Sequence, residues 1–268
     1  MKWIISSLLL LCSCSALADI EKFVRYDDKG IIRYGQVVGD SVFAIQGDMY
    51  DQFSLSKEKV PLNSVKLLIP AVPEKVFAVG MNFASHLSSP SNQAPPLFLK
   101  LPSSLILSGQ NIQVPQGASN VHFEGELVLV IGKQAKQIEP SQVKEVVFGV
   151  LAGNDLTERN WQGRDLQWMR SKASDGFGPV SSMITRGIDY ENVLLTTRLN
   201  GEVVQQESTK NMIHSVDKVV SYLSQYFTLQ PGDMIFMGTP GRTQALSDKD
   251  IVSVNIDGVG TVENVIRF

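Results

Sequence analysis

Apolar residues in this chain gather in short runs rather than long amphipathic stretches. From Ile20 to about Ile69 they alternate with polar residues in Phe23-Val24-Arg25-Tyr26, Ile31 to Val38 and Ser41 to Ile45, with turn residues at Asp27-Asp28-Lys29-Gly30 and Gly39-Asp40 between them. Period-two alternation bounded by turn formers is the pattern of half-buried strands joined as hairpins. A unit of this size is marginal alone, so it is expected to pack on the chain beyond Ile69-Pro70-Ala71-Val72-Pro73, the natural joint.

Beyond the joint the apolar runs stay short and rich in Val, Ile and Phe: Val76 to Val79, Leu97 to Leu99, Leu127 to Ile131, Val146 to Leu151, Val193 to Leu199, Met234 to Met237 and Ile251 to Ile256. Turn signals separate them. Helical spacing is confined to three places: Ser141 to Val146 behind Pro140, Leu156 to Arg170, and Ser215 to Tyr226, where Val216, Val219, Val220, Leu223 and Phe227 share a face. The pattern predicts a mainly β fold with peripheral helices, of the α+β class, comprising a small N-terminal β domain over 19–70 and a larger domain over 71–268.

Residues 1–18 show another pattern. Lys2 precedes an apolar run from Trp3 to Leu11, and small residues lead to Ala16-Leu17-Ala18 ahead of Asp19, the layout of a cleavable secretory signal. The run is too short to span a bilayer. Cleavage near Ala18 is expected to give a periplasmic or secreted protein, with a lipoprotein anchored through Cys14 as the alternative. Both cysteines, Cys12 and Cys14, lie in this segment, so a cleaved chain has no thiol for a disulfide or a zinc site. A formal charge of −3 gives no electrostatic reason to expect nucleic acid as a partner.

The candidate chemistry is acidic. In Val121-His122-Phe123-Glu124-Gly125-Glu126-Leu127-Val128-Leu129-Val130-Ile131-Gly132 the two glutamates share a strand face, and both faces of the later run are apolar. Two carboxylates at the mouth of a buried strand repel unless a cation lies between them or one takes a proton; the bland alternative is a rim facing water. A second apolar strand, Val146 to Gly153, runs into Asn154-Asp155. A third carboxylate there suits a hard cation such as Mg²⁺, although an Asp at a strand end also serves as a turn or helix cap. The three histidines, His86, His122 and His214, are scattered along the chain.

From Val76 to Phe268 the chain resembles the fumarylacetoacetate hydrolase family. The resemblance is carried by Phe77-Ala78-Val79-Gly80-Met81-Asn82-Phe83-Ala84-Ser85-His86, Leu97-Phe98-Leu99-Lys100, Glu124 to Lys133, Asn154-Asp155-Leu156-Thr157-Glu158-Arg159-Asn160-Trp161-Gln162, Ser171-Lys172, Asn200-Gly201-Glu202, and Pro231-Gly232-Asp233-Met234-Ile235 to Gly238-Thr239-Pro240, in that order. It implies a β-sandwich roll, usually a homodimer, with Mg²⁺ (or Mn²⁺ or Ca²⁺) held by Glu124, Glu126 and Asp155. It also implies a substrate pocket for a small 2-oxo acid lined by Lys172, Arg159, Gln162 and Thr239, with His86 as the base. From the residues alone, Lys172 reads equally as a surface ion pair, Arg159 and Gln162 as helix-face positions, and Thr239 as a turn hydroxyl.

The resemblance implies cleavage of a carbon–carbon bond next to a 2-oxo acid, as in acylpyruvates, by a water that His86 activates. In hydrolytic members a Glu three residues after that His orients it; Ser89 stands there, and no Asp or Glu occurs between Lys75 and Phe123. Met81 and Phe83 replace a basic residue and a Tyr common in relatives, and Gly241-Arg242-Thr243-Gln244 replaces a glycine-richer loop. The alternatives are therefore a metal-dependent tautomerase, isomerase or decarboxylase, which needs no activated water, and an exported protein that binds 2-oxo acids without turnover.

Overall fold

The protein is described here by a computed structural model over residues 20–86 and 94–268. The segment expected to be a signal, with Cys12 and Cys14, and Ser89 lie outside the described residues. The fold is mainly β, with short peripheral helices. One sheet of thirteen strands carries, in spatial order, Phe53–Pro61, Ser41–Gly47, Ile31–Val38, Glu21–Asp28, Ile184–Arg186, Val147–Asn154, Gly125–Ile131, Met234–Phe236, Val76–Val79 and Leu97–Lys100. A second sheet packs on it in the order Glu202–Ser208, Leu194–Leu199, Ile251–Ile256, Gly260–Arg267 and Asn111–Gln113.

The Gly125–Ile131 strand is buried along its whole length, as expected of a strand apolar on both faces. Leu127, Leu129 and Ile131 point into a core shared with Leu195, Val254 and Ile256 of the second sheet and with Val219, Val220 and Leu223 of a helix. Val128 and Val130 point the other way, into a core with Phe23, Met49, Phe148 and Phe236. That helix, Val216–Tyr226, buries Val216, Val219, Val220 and Leu223 as their spacing predicted, while Phe227 lies past its end and is exposed; Ser215 caps it by accepting a hydrogen bond from Lys218 N.

Two helical expectations need correction. Leu156 to Arg170 is not one helix. Thr157–Glu158 pairs as a short strand with Val121–His122, one helical turn comes next at Arg159–Gln162, a 3₁₀ turn follows at Leu166–Trp168, and α-helix resumes only at Met169–Ala173. The break has two causes. The buried Glu158 carboxylate accepts hydrogen bonds from Ser119 N, Asn120 N and Trp161 N, which fixes an extended residue before the turn. Further on, Gln167 and Trp168 both adopt left-handed conformations, at φ 60° and 59°, which no helix accommodates. Ser141 to Val146 is a 3₁₀ helix, Pro140–Glu145, started by a reciprocal cap between Glu139 and Gln142.

The N-terminal hairpins do pack on the chain beyond the joint, and they do so as sheet. Glu21–Asp28 pairs antiparallel with Ile184–Arg186, so the first strands extend the large sheet. Arg186 seals the joint: its guanidinium lies 4.8 Å from the ring centre of Phe23 and 5.1 Å from that of Phe148, and its Nη2 is 2.6 Å from Glu21.

Candidate metal centre and active site

Two neighbouring strands assemble the acidic cluster by register. Gly125 pairs with Asn154 and Glu126 with Gly153, so the step beyond sets Glu124 against Asp155, whose N–H donates to Glu124 O at 2.8 Å. The Asn154 side chain ties the junction by accepting from Glu124 N at 2.9 Å. Carboxylate oxygens of Glu124, Glu126 and Asp155 come within 4.8 Å of one another. All three residues are buried, so the rim reading of Glu-x-Glu does not describe this strand.

Glycine at 125 is required by packing. A Cβ there would lie 2.1 Å from Thr197 Oγ1 of the second sheet, so the backbone between the two glutamates approaches that sheet more closely than a side chain permits. Gly238 is required by conformation, at φ 92°. Its N–H donates to Glu126 Oε2 at 2.7 Å.

Cations surround part of this cluster. Lys172 Nζ bridges Glu124 Oε2 (2.6 Å) and Asp155 Oδ2 (2.5 Å). Lys100, fully buried, donates to Asp155 Oδ1 at 2.6 Å and to the carbonyls of Phe177 and Lys172. Arg159 Nη2 reaches Glu124 Oε1 at 2.5 Å and Thr243 Oγ1 at 2.9 Å, while its Nη1 donates to Gln162 Oε1. Among the described residues no cationic side chain pairs with Glu126.

Electrostatics reflect this asymmetry. Burial works against ionisation of Glu124, but Lys172 and Arg159 outweigh it and hold its carboxyl down at about 2. Burial, together with Asp155 and Glu124, pushes Glu126 well above the usual carboxylate range. Lys172 stays charged because Asp155 and the two glutamates overcome its desolvation. For Lys100 desolvation wins over Asp155 and lowers its pKa. A hard divalent cation fits this donor set: buried carboxylate oxygens converge, among the described residues no His or Cys belongs to the cluster, and no cationic side chain is in ion-pair contact with Glu126. Glu124, Glu126 and Asp155 are the residues that would hold it.

His86 stands at the edge of the site, half-buried, with Nδ1 2.6 Å from Gly241 O. Its approach is anchored by Asn82, whose side chain bonds His214 N, His214 O and Met237 O. Thr239 is buried, and its hydroxyl accepts from Gln205 Nε2 at 2.9 Å. Gln205 also accepts from Gly125 N and donates to Pro240 O, so it ties the Gly-Thr-Pro loop to the acidic strand. His122 lies outside the acidic cluster, between Thr243 Oγ1 and Asn120 Oδ1. His214 is buried away from the cluster as well.

Sequence reasoning missed Lys100 and Gln205 as members of this site. Lys100 had a signal: a charge ending an apolar strand, in step with Phe98, as Asp155 ends its own. Gln205 had none, because Glu202 to Ser208 is polar enough to pass for a loop.

The C-terminal domain model of fumarylacetoacetate hydrolase matches residues 75–267, and an N-terminal model described as Rv2993c-like matches 21–70. The chain belongs to the fumarylacetoacetate hydrolase family. Within the family it is 38% identical over 212 residues to Protein Rv2993c of Mycobacterium tuberculosis, covering 77% of this chain and 80% of that one. It is 33% identical over 222 residues to the mitochondrial oxaloacetate tautomerase Fahd2a of Rattus norvegicus, covering 77% and 71%. Among solved structures, the 2-hydroxyhepta-2,4-diene-1,7-dioate isomerase from Mycobacterium marinum superposes with a TM-score of 0.86 at 32% identity, over 92% of this chain and 99% of that one.

Proposed function

We propose that this family member is a divalent-metal-dependent enzyme that tautomerises or isomerises a small 2-oxo acid, moving a proton on the carbon beside the oxo group. A hard divalent ion, Mg²⁺ or Mn²⁺, when bound supplies Lewis-acid withdrawal of electrons from the 2-oxo acid. Lys172, kept charged by its carboxylate neighbours, places an ammonium where the enolate oxygen develops its charge. Arg159, held by Glu124 and Thr243, offers the substrate carboxylate its remaining donors, with Gln162 and Thr239 as further polar contacts.

The observation that favours proton transfer over hydrolysis is the partner of His86. A carbonyl only accepts, so in the neutral ring Nδ1 carries the proton and Nε2 the lone pair. Such a ring takes a proton from an activated carbon and returns it to another position, and no water is consumed. Hydrolytic members orient this ring with a Glu three residues further on; Ser89 stands at that position, and among the described residues no carboxylate touches His86. The tautomerase and isomerase names of the rat and M. marinum relatives support the same reading.

The test is the full chain with Mg²⁺, Mn²⁺ or EDTA against oxaloacetate and a panel of 2,4-dioxo acids, with enol absorbance and mass spectrometry as readouts. Metal-dependent interconversion of keto and enol or double-bond isomers, at unchanged mass, is expected. Pairs of chain-shortened acids would replace this reading with hydrolysis. Tight binding without conversion would leave only a binding protein, and turnover indifferent to chelator would remove the metal from the account.

A further inference from the structure

The strand Glu202–Ser208 lies at the edge of the second sheet. Its residues 205 and 207 share a face, and both reach across to segments of the site. Gln205 holds the Gly-Thr-Pro loop. Glu207 Oε2 accepts from the Ser85 hydroxyl, and its Oε1 accepts from Asn211 Nδ2 at 3.1 Å. Ser85 Oγ in turn accepts from Gly241 N at 3.0 Å. Gly241 O is the acceptor for His86 Nδ1. A carboxylate is thus linked to the imidazole through one hydroxyl and one glycine residue.

We propose that Glu207 positions His86 for proton transfer, acting through Ser85 and Gly241 in place of the Glu that hydrolytic members carry three residues after this histidine. The proposal rests on His86 being the base of the reaction above. As acceptor of the Ser85 O–H, Glu207 orients that hydroxyl so that its lone pair faces Gly241 N–H. That bond fixes the Gly241 carbonyl, and the carbonyl selects the ring tautomer with its lone pair on Nε2. Gly241 itself has φ 63° and nothing within 4 Å of where a Cβ would stand, so side-chain packing does not hold this residue and the Ser85 bond does. Glu207 is a positioning residue: it touches neither the acidic cluster nor the imidazole.

Nitrogen-15 labelling of histidine tests this without any substrate, since the chain has only three histidines and His86→Gln assigns one signal. In the full-length wild-type protein, long-range ¹H–¹⁵N correlations are expected to show His86 protonated at Nδ1. Glu207→Ala and Ser85→Ala should each turn this into an average of both tautomers, with the His122 and His214 signals unchanged as evidence of an intact fold. Glu207→Gln, whose amide oxygen still accepts from Ser85, should restore the wild-type pattern. Kinetically, Glu207→Ala should lower kcat by roughly tenfold, a fraction of what a whole general base contributes, with KM and Mn²⁺ affinity unchanged. An unchanged His86 pattern in both alanine variants would overturn the proposal. Absence of turnover in the wild type would instead count against the proposed function, and the tautomer measurement would still decide the role of Glu207.

Discussion

Glu126 and Glu124 occupy adjacent positions on one strand face yet titrate in opposite directions, and the difference is which cations reach them. Lys172 and Arg159 pair directly with Glu124, whereas Glu126 accepts only the Gly238 N–H and feels Lys172 from beyond contact distance. The consequence for stability has a sign. A carboxyl raised in the folded state contributes stability that is complete below its unfolded value and is lost as pH rises through the folded one. Glu124, depressed to about 2, contributes stability that is lost only as pH falls toward that value, so it is constant above about pH 5. In the metal-free protein Glu126 therefore makes the fold less stable as pH rises above about 5, and a bound divalent ion removes that penalty. Differential scanning fluorimetry from pH 5 to 8 should show the Tm gain on adding Mg²⁺ growing with pH; a gain flat across this range would contradict the assignment. Lys172 supports the complementary test. Lys172→Met leaves two buried carboxylates with one partner fewer, which costs about 3–5 kcal/mol for a buried pair broken on one side. Thermal unfolding of this variant in EDTA should show that loss, Mg²⁺ should recover part of it, and turnover should not return.

At the scale of elements, the site depends on how closely the Glu-Gly-Glu strand approaches the second sheet. Gly125→Ala drives a methyl into Thr197 Oγ1, with Val254 Cγ1 at 3.1 Å and Gln205 Oε1 at 3.3 Å alongside. Overpacking of this kind costs about 1–3 kcal/mol. Because the displaced strand carries Glu126 and directly follows Glu124, two of the three candidate ligands, the variant should lose Mn²⁺ affinity in calorimetry by more than its stability loss accounts for. Affinity equal to wild type would mean the strand yields without moving its glutamates. This strand was legible in the sequence because its side chains alternate between two apolar cores, and the Val216–Tyr226 helix because its buried positions keep a 3.6 period. Leu156 to Arg170 misled for a physical reason. Its periodicity is helical, but the carboxylate of Glu158 is satisfied by backbone N–H groups from a loop some forty positions earlier, and pattern alone carries no such information. The Glu202–Ser208 strand was illegible for the converse reason: its inward-facing Gln205 and Glu207 bind polar groups of the site, so no apolar alternation marks it. The three acidic residues were named from spacing and resemblance, while Lys100, drawn in from the far edge strand, shows its role only when the sheet is assembled.

For the whole molecule the question is whether the N-terminal hairpins are an appendage or a part of one cooperative body. Phe23 decides it. The residue belongs to an N-terminal strand, yet it is fully buried in the core that also holds Val128, Val130, Leu151 and Phe236, the apolar residues flanking the acidic strand and its neighbours. Its ring packs 5.0 Å from Phe148 and 5.8 Å from Phe53, and Arg186 lies over all three rings. Truncating it removes contacts on both sides of the joint at once. Phe23→Ala should cost about 3–5 kcal/mol, and for a chain of this length each kcal/mol lowers Tm by about 2–4 °C. If the sheet is one cooperative unit, calorimetry of the variant shows a single transition displaced downward, and added Mg²⁺ raises the whole of it, because ion binding at Glu126 stabilises every strand that unfolds with it. If the hairpins melt independently, the variant instead shows an early transition that ignores Mg²⁺ and a later one at the wild-type temperature that responds to it. The pairing of Glu21–Asp28 with Ile184–Arg186, joined to Val147–Asn154 through Thr185 and Val150, predicts the first result.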